Sequence, residues 1–140
     1  MLRKAADAVG GFVVSAHPFR AVFSRPRAIR PLLYPSANDP LPKKPADALD
    51  HPVFKLVHAV EVANGGTADD ENSFAMKVAQ ELRLPVTGGS DAHSVHGLGK
   101  FVTVFRDEIN TESEFLAALH SGTFFPAVGL RTGELRPYTA

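Results

Sequence analysis

The sequence contains no cysteine among its 140 residues. This absence excludes disulfide bonds and thiolate zinc sites. Histidine and carboxylate side chains are therefore the first-choice ligands if the protein binds a transition metal.

The chain also lacks an excess of charge, since 15 Lys and Arg residues balance 15 Asp and Glu residues. No long-range positive field would gather nucleic acid or anionic lipid, so any phosphate binding must be local. One segment concentrates basic charge without an acid, and its arginines are Arg20, Arg25, Arg27 and Arg30. This segment suits a phosphate-bearing ligand, and it equally suits a solvated basic loop.

Long apolar runs are missing as well. No stretch approaches the roughly 20 apolar residues that cross a bilayer, and residues 1–11 lack the apolar run of a signal peptide. Hydrophobic residues make up 44% and charged residues 21%, as in soluble globular proteins. We therefore expect a single cytoplasmic domain, residues 1–140, without a membrane partner.

The apolar runs that are present predict five strands. They cover residues 12–14, 56–62, 84–87, 101–105 and 124–128, each followed by glycine or polar residues. Helices are predicted at residues 2–9, from about 67 to 83 with Thr67 as cap, and from Thr111 to about His120 behind a capping box. Eight of the eleven prolines fall between Pro18 and Pro52, which predicts an irregular Pro-rich insertion at about residues 19–54. The order implies an α/β fold, a mainly parallel sheet or barrel segment, with polar loops gathered beyond the strand C-terminal ends.

Two polar clusters follow predicted strands. Residues 16–20 read Ala-His-Pro-Phe-Arg, and residues 89–94 read Gly-Ser-Asp-Ala-His-Ser. Asp91 and His93 lie two residues apart, so a locally extended backbone would point both side chains to one side, and His17 would complete a three-ligand metal set. Taken singly, a histidine at a strand end is commonly structural and an aspartate in a Gly-Ser loop is commonly a turn former.

Other sites are less consistent with the residues. Residues 97–100 are glycine-rich and end in lysine, but Ser94 and Phe101 stand where a Walker loop needs glycine and a hydroxyl residue. Ser90 lacks the second glycine of a serine-hydrolase elbow, because residue 92 is alanine. The acidic run at residues 69–71 is typical of a helix N-terminus rather than of a calcium loop.

The combined motifs resemble the PHP (polymerase and histidinol phosphatase) metal-dependent phosphoesterases. The family's late His-Pro motif is similar to His17-Pro18-Phe19-Arg20, its intermediate strand end to Glu61-Val62-Ala63-Asn64, and its Ser-Asp-x-His motif to Ser90-Asp91-Ala92-His93. These motifs occur in family order over roughly residues 10–105.

The resemblance implies a fold, a ligand set and a reaction. The fold would be part of a distorted TIM-like (β/α)7 barrel, with divalent Zn, Mn or Fe ions, up to three in complete family members, held at the strand C-termini. By this resemblance His17, Asp91 and His93 are metal ligands, Arg20 and His93 are catalytic, and Arg20 contacts a substrate phosphate. Glu61 and Asn64 match the family's intermediate motif and would support the site from behind the ligands or in the pocket. Apart from the resemblance, His96 lies close enough to the second polar cluster to reach the site as a further supporting residue. The substrate would be a phosphorylated small molecule or a nucleotide-type phosphate ester.

The family's early motifs are absent, since no His-x-His pair occurs in the chain. Two interpretations follow from this departure. The chain is the C-terminal portion of a phosphoesterase whose N-terminal half or second copy completes it, or it is a non-catalytic PHP-like fragment that binds a metal or a partner protein.

Overall fold

The structure, a computed structural model, describes residues 2–24 and 30–139. Within these residues three α-helices lie among six strands, and a long segment that includes two short 3₁₀ helices separates Ser15 from Ala59. Their bounds are α1 (Leu2–Ala8), β1 (Val14–Ser15), β2 (Ala59–Asn64), α2 (Asp69–Glu81), β3 (Val86–Gly89), β4 (Phe101–Phe105), α3 (Glu112–Ser121), β5 (Phe124–Val128) and β6 (Arg136–Pro137).

The strands form two separate sheets of three strands each. The first has the order β1-β2-β3 and is parallel, with Val14 opposite Ala59 and Val60 opposite Val86. The second has the order β4-β5-β6 and is antiparallel, with Phe105 opposite Phe124. The predicted mainly parallel, TIM-like barrel is therefore wrong, and the described residues form a small α/β structure with no barrel.

The prediction of parallel strand direction was wrong for β4 and β5, the two strands on either side of α3. A helix between two strands usually marks a parallel crossover, and that rule led to the prediction of mainly parallel strands. Here Arg106 N donates to Thr123 O over 3.0 Å, so the chain leaves β4 and enters β5 at the same end of the pair. The loop and α3 thus form an excursion from a hairpin, and β5 runs antiparallel to β4.

The two sheets meet through a side chain. Thr103 Oγ1 on β4 accepts from Gly88 N over 3.0 Å and donates to Gly88 O over 2.8 Å on β3. A Cβ on Gly88 would lie 2.7 Å from Val102 O, so glycine permits this close approach. The Thr103 side chain thus joins β4 to the backbone of β3, although the two strands belong to different sheets.

The larger core lies between α2 and the parallel sheet. Val60 and Val62 point to this face of β2, and α2 contributes Phe74 and Val78, four residues apart and so on one face of the helix. The described part of the Pro-rich segment adds apolar side chains to the same core: Phe19, Val22, Tyr34, Ala48 and Phe54. A smaller core on the other face contains Ala59, Leu119 and Phe124.

Helix capping was predicted correctly for α3 and incorrectly for α2. Thr111 and Glu114 form the capping box of α3, and Thr111 Oγ1 accepts from Glu114 N over 3.2 Å. The N-cap of α2 is Ala68, and the hydroxyl of Thr67 instead donates to Asn64 Oδ1 over 2.9 Å. Thr67 is thereby part of the polar cluster at the end of β2.

Across residues 2–24 and 30–139, no helix is both long enough and apolar enough to span a membrane.

Candidate functional site

The candidate ligands lie at one edge of the parallel sheet. His17 follows β1 by two residues, and Asp91 follows β3 by the same interval. Between these strands, β2 carries Glu61 and ends at Asn64. Because the three strands are parallel neighbours, their C-terminal ends bring the polar clusters to the same edge, as the sequence predicted.

His17 and Asp91 share an unusual backbone conformation. Their φ angles are 31° and 47°, in the left-handed region that non-glycine residues rarely adopt. Glu61 Oε2 accepts from His17 N over 2.8 Å and thereby holds the first of these turns. Residues kept in such conformations occur frequently at functional sites, where the surrounding structure maintains them.

Asn64 connects the loop after β1 with the loop after β2, and it is 1% exposed. Its Nδ2 donates to Glu61 Oε2 over 2.9 Å, and its Oδ1 accepts from Arg20 Nη2 over 2.7 Å. Oδ1 also accepts from Gly66 N and from Thr67 Oγ1, each over 2.9 Å. The donors and acceptors around Asn64 therefore fix which way its amide points.

Arg20 forms an ion pair with Asp91 through Nη2 and Oδ2. This hydrogen bond is the main cause that holds the pKa of Asp91 below its ordinary value, against an opposite effect of partial burial. His17 and His93 lie near enough that a positive charge on either imidazole would lower the pKa of Asp91 further. The carboxylate of Asp91 is thus a site that cations favour.

Glycines make room for this arrangement. A Cβ on Gly66 would lie 2.6 Å from Asp91 Oδ2 and 3.0 Å from Arg20 Nη2. A Cβ on Gly89 would lie 2.5 Å from Glu61 Oε1, and one on Gly65 would overlap the carbonyl oxygen of Ser90. Residues 65–66 are glycines that come shortly after the second predicted strand. Two adjacent glycines beside polar motifs were the available signal for close packing.

The imidazole of His17 is the next part of the site. Its Nδ1 is buried and has no hydrogen-bond partner among the described residues. A buried polar nitrogen without a partner costs free energy, so this nitrogen is a candidate to bind a metal ion or another ligand. Two imidazoles and one carboxylate are also donors that zinc and related cations accept.

The arrangement does not form a closed metal site. Within the part of the chain that the structure describes, no group of three or more His, Asp or Glu side chains is placed to hold a metal ion. Arg20 is bonded to Asp91, and His93 is exposed with its Nδ1 2.9 Å from the carbonyl oxygen of Asp91. These side chains are of the types that bind a divalent cation, but the carboxylate of Asp91 is paired with Arg20.

The remaining histidines lie outside this cluster. His96 is exposed on the short helix Val95–Gly97, and its backbone carbonyl accepts from Arg131. His58 Nδ1 accepts from Val13 N over 2.9 Å, and its ring stacks on Phe12. These contacts make His58 a structural residue.

Two arginines of the basic segment, Arg25 and Arg27, lie outside the described residues. Arg30 is exposed. Arg20 is the arginine of this segment that the structure places at the sheet edge.

A comparison with protein families supports the resemblance drawn from the motifs. Residues 69–124 match the family model described as PHP-associated. The match supports the PHP resemblance for this C-terminal region of the chain; it includes Asp91 and His93 and begins after the segment that carries His17. Neither a curated protein nor a solved structure matches the chain significantly.

Proposed function

We propose that His17, Asp91 and His93 are part of the divalent-metal site of a PHP-type phosphoesterase. The observation that carries this proposal is the buried Nδ1 of His17, which has no hydrogen-bond partner among the described residues and follows a strand that ends at the same sheet edge as the strand before Asp91. Two imidazoles and a carboxylate are ligand types of open zinc sites.

Each residue would have a distinct part in phosphate-ester hydrolysis. A bound divalent cation would supply Lewis-acid polarisation of the phosphoryl group and a nucleophile at neutral pH. Arg20 would neutralise charge that develops on the phosphoryl oxygens, and His93 is exposed enough to exchange a proton with substrate. Glu61 would orient His17 through its backbone N–H, and Asn64 would hold Glu61 and Arg20 in register.

We also propose that other residues complete the site. Three ligands hold one ion, whereas the family resemblance implies up to three ions. An N-terminal half of the protein or a second copy of the chain would therefore supply the remaining ligands. The proposed substrate is a phosphorylated small molecule or a nucleotide-type ester. A cytoplasmic location stays a prediction from composition.

Metal content tests the ligand assignment. The protein is loaded with Zn²⁺ or Mn²⁺, separated from free metal by gel filtration and analysed by inductively coupled plasma mass spectrometry. Asp91→Ala and His93→Ala should lose bound metal, while Asp107→Ala, an exposed aspartate in the loop after β4, should retain it. Unchanged metal content in both ligand variants would show that the assignment is wrong.

The second candidate is a non-catalytic PHP-like chain that binds a metal or a partner protein. It is favoured by the ion pair of Arg20 with Asp91 and by the absence of a three-ligand group among the described residues. Turnover of p-nitrophenyl phosphate with added Mn²⁺ or Zn²⁺ separates the two. Hydrolysis that Asp91→Ala abolishes supports the enzyme, and metal binding without turnover supports the second candidate.

A further inference from the structure

Arg20 is held in place independently of Asp91. Its Nη2 donates to Asn64 Oδ1 over 2.7 Å, and its Nε donates to Thr67 Oγ1 over 3.2 Å. Asn64 is 1% exposed and Thr67 is 7% exposed, so both acceptors are part of the packed structure. The guanidinium therefore stays at the sheet edge whether or not Asp91 is bonded to it.

Asp91 comes to this fixed group from the loop after β3. Its Oδ2 contacts Arg20 Nη2 directly above Gly66, where a Cβ would lie 2.6 Å from the carboxylate oxygen. The same carboxylate is the negatively charged member of the proposed metal set with His17 and His93. One carboxylate therefore faces two cationic partners, an arginine in the structure and a metal ion in the proposed function.

We propose that Arg20 competes with the divalent cation for Asp91. This inference rests on the proposed function, because it requires that Asp91 is a metal ligand. Two positive charges within a few ångströms repel each other strongly in a partly buried site. Metal binding is therefore weakened by the need to loosen the Arg20 ion pair, and Arg20 acts as a built-in counter-ion while no metal is bound.

The exchange has a consequence for substrate binding. When a cation takes the carboxylate of Asp91, Asn64 and Thr67 still hold the guanidinium beside the site, and its Nη2 loses an anionic partner. A phosphate oxygen then becomes the available anion for Arg20, since guanidinium groups pair well with phosphate. Cation binding would thus prepare the arginine for a phosphate ester, and phosphate would in turn favour cation binding.

Isothermal titration calorimetry with Zn²⁺ tests the competition in the full chain. Arg20→Gln should bind Zn²⁺ about tenfold more tightly than the wild type, because the carboxylate is released from its competitor. Asp91→Asn should lose this binding, also when it is combined with Arg20→Gln. Arg106→Gln, which removes an exposed arginine in the loop after β4, should leave the affinity unchanged.

Thermal denaturation gives a second measure that does not depend on activity. Without metal, Arg20→Gln should melt below the wild type, because the Asp91 carboxylate loses its partner. Added Zn²⁺ should raise the melting temperature of Arg20→Gln by more than it raises that of the wild type. If Arg20→Gln folds poorly, Arg20→Lys serves instead, with an affinity expected between those of the wild type and Arg20→Gln.

The outcomes separate this inference from the proposed function. Equal affinity of wild type and Arg20→Gln, with loss in Asp91→Asn, would overturn the competition and leave the ligand assignment standing. Weaker binding by Arg20→Gln would show that Arg20 supports Asp91 as a ligand, and it would overturn the competition too. Zn²⁺ binding that survives Asp91→Asn, or that is missing from every variant, would overturn the ligand assignment and the competition together.

Discussion

The side-chain amide of Asn72 forms two hydrogen bonds with the backbone of Asn64. Asn72 Oδ1 accepts from Asn64 N over 3.1 Å, and Asn72 Nδ2 donates to Asn64 O over 3.0 Å. Both residues are buried, so α2 supplies the end of β2 with the donor and acceptor that a neighbouring strand would otherwise provide. Through Asn64, this pairing supports the contacts of Glu61 and Arg20 at the sheet edge.

The first prediction concerns this amide. Asn72→Asp removes the Nδ2 donor and places a carboxylate near the carbonyl oxygen of Asn64. We expect the free energy of unfolding to fall by about 1–3 kcal/mol, the usual cost of an unpaired buried polar group. Urea denaturation measures the loss, with Asn38→Asp at an exposed position as control. Equal stabilities of the two variants would refute the pairing.

The second prediction compares two adjacent glycines. In Gly65→Ala the new Cβ meets the backbone carbonyl oxygen of Ser90, so the backbone must shift. In Gly66→Ala it meets first the carboxylate of Asp91, the end of a side chain that can rotate away. We expect Gly65→Ala to lose roughly 1–3 kcal/mol of unfolding free energy, and Gly66→Ala less. Chemical denaturation of both variants ranks them, and the reverse order would contradict the described packing.

The third prediction concerns the pH dependence of stability through Glu71. Its Oε1 accepts from Phe23 N over 2.9 Å, from Ser24 N over 3.1 Å and from Ser24 Oγ over 3.0 Å. Burial raises the pKa of Glu71, but these hydrogen bonds together lower it more, so the pKa lies below its ordinary value.

Because the folded-state pKa is lowered, Glu71 stabilises the fold above its ordinary pKa of about 4.3, and this contribution is lost as the pH falls through the folded-state pKa. Glu71→Gln should therefore be less stable than the wild type at pH 7, by about 1–3 kcal/mol, and should lose less stability on acidification. Unfolding measured between pH 7 and pH 3 tests this, with the exposed Glu81→Gln of the same helix as control. Parallel pH profiles of wild type and Glu71→Gln would contradict the prediction.

The fourth prediction concerns the junction of the two sheets. Thr103→Val keeps the shape of the side chain but removes the hydroxyl that bonds both Gly88 N and Gly88 O. These backbone groups would lose their partner, at a cost of about 1–3 kcal/mol in unfolding free energy. Thermal denaturation should show a lowered melting temperature, whereas Thr139→Val at an exposed position should show none. An unchanged melting temperature in Thr103→Val would mean that other contacts hold the sheets together.

Local features of the fold were predictable from the sequence. The bounds of β4 and β5 agree with the predicted strands, and the capping box of Thr111 and Glu114 is present. Such signals are local because a strand or a helix start depends on neighbouring residues and on alternation or turn chemistry. The predicted clustering of polar loops at the strand ends also followed, because parallel strands β1, β2 and β3 point the same way.

The direction of β5 and the pairing of Arg20 with Asp91 needed the tertiary structure. A helix between two strands is compatible with a crossover or with an excursion from a hairpin, and the sequence pattern of α3 is the same in both. The Arg20–Asp91 pair joins positions 71 residues apart, and its formation depends on the approach of two loops across Gly66.

The sequence by itself determined the residue types at the strand ends, the capping of α3 and the resemblance to the PHP family. The tertiary structure decided which partner each polar group has: Arg20 for Asp91, Glu61 for the backbone of His17, and Asn72 for Asn64. The physical reason is that composition and periodicity act over a few residues, whereas hydrogen-bond partners depend on distances of a few ångströms between remote segments.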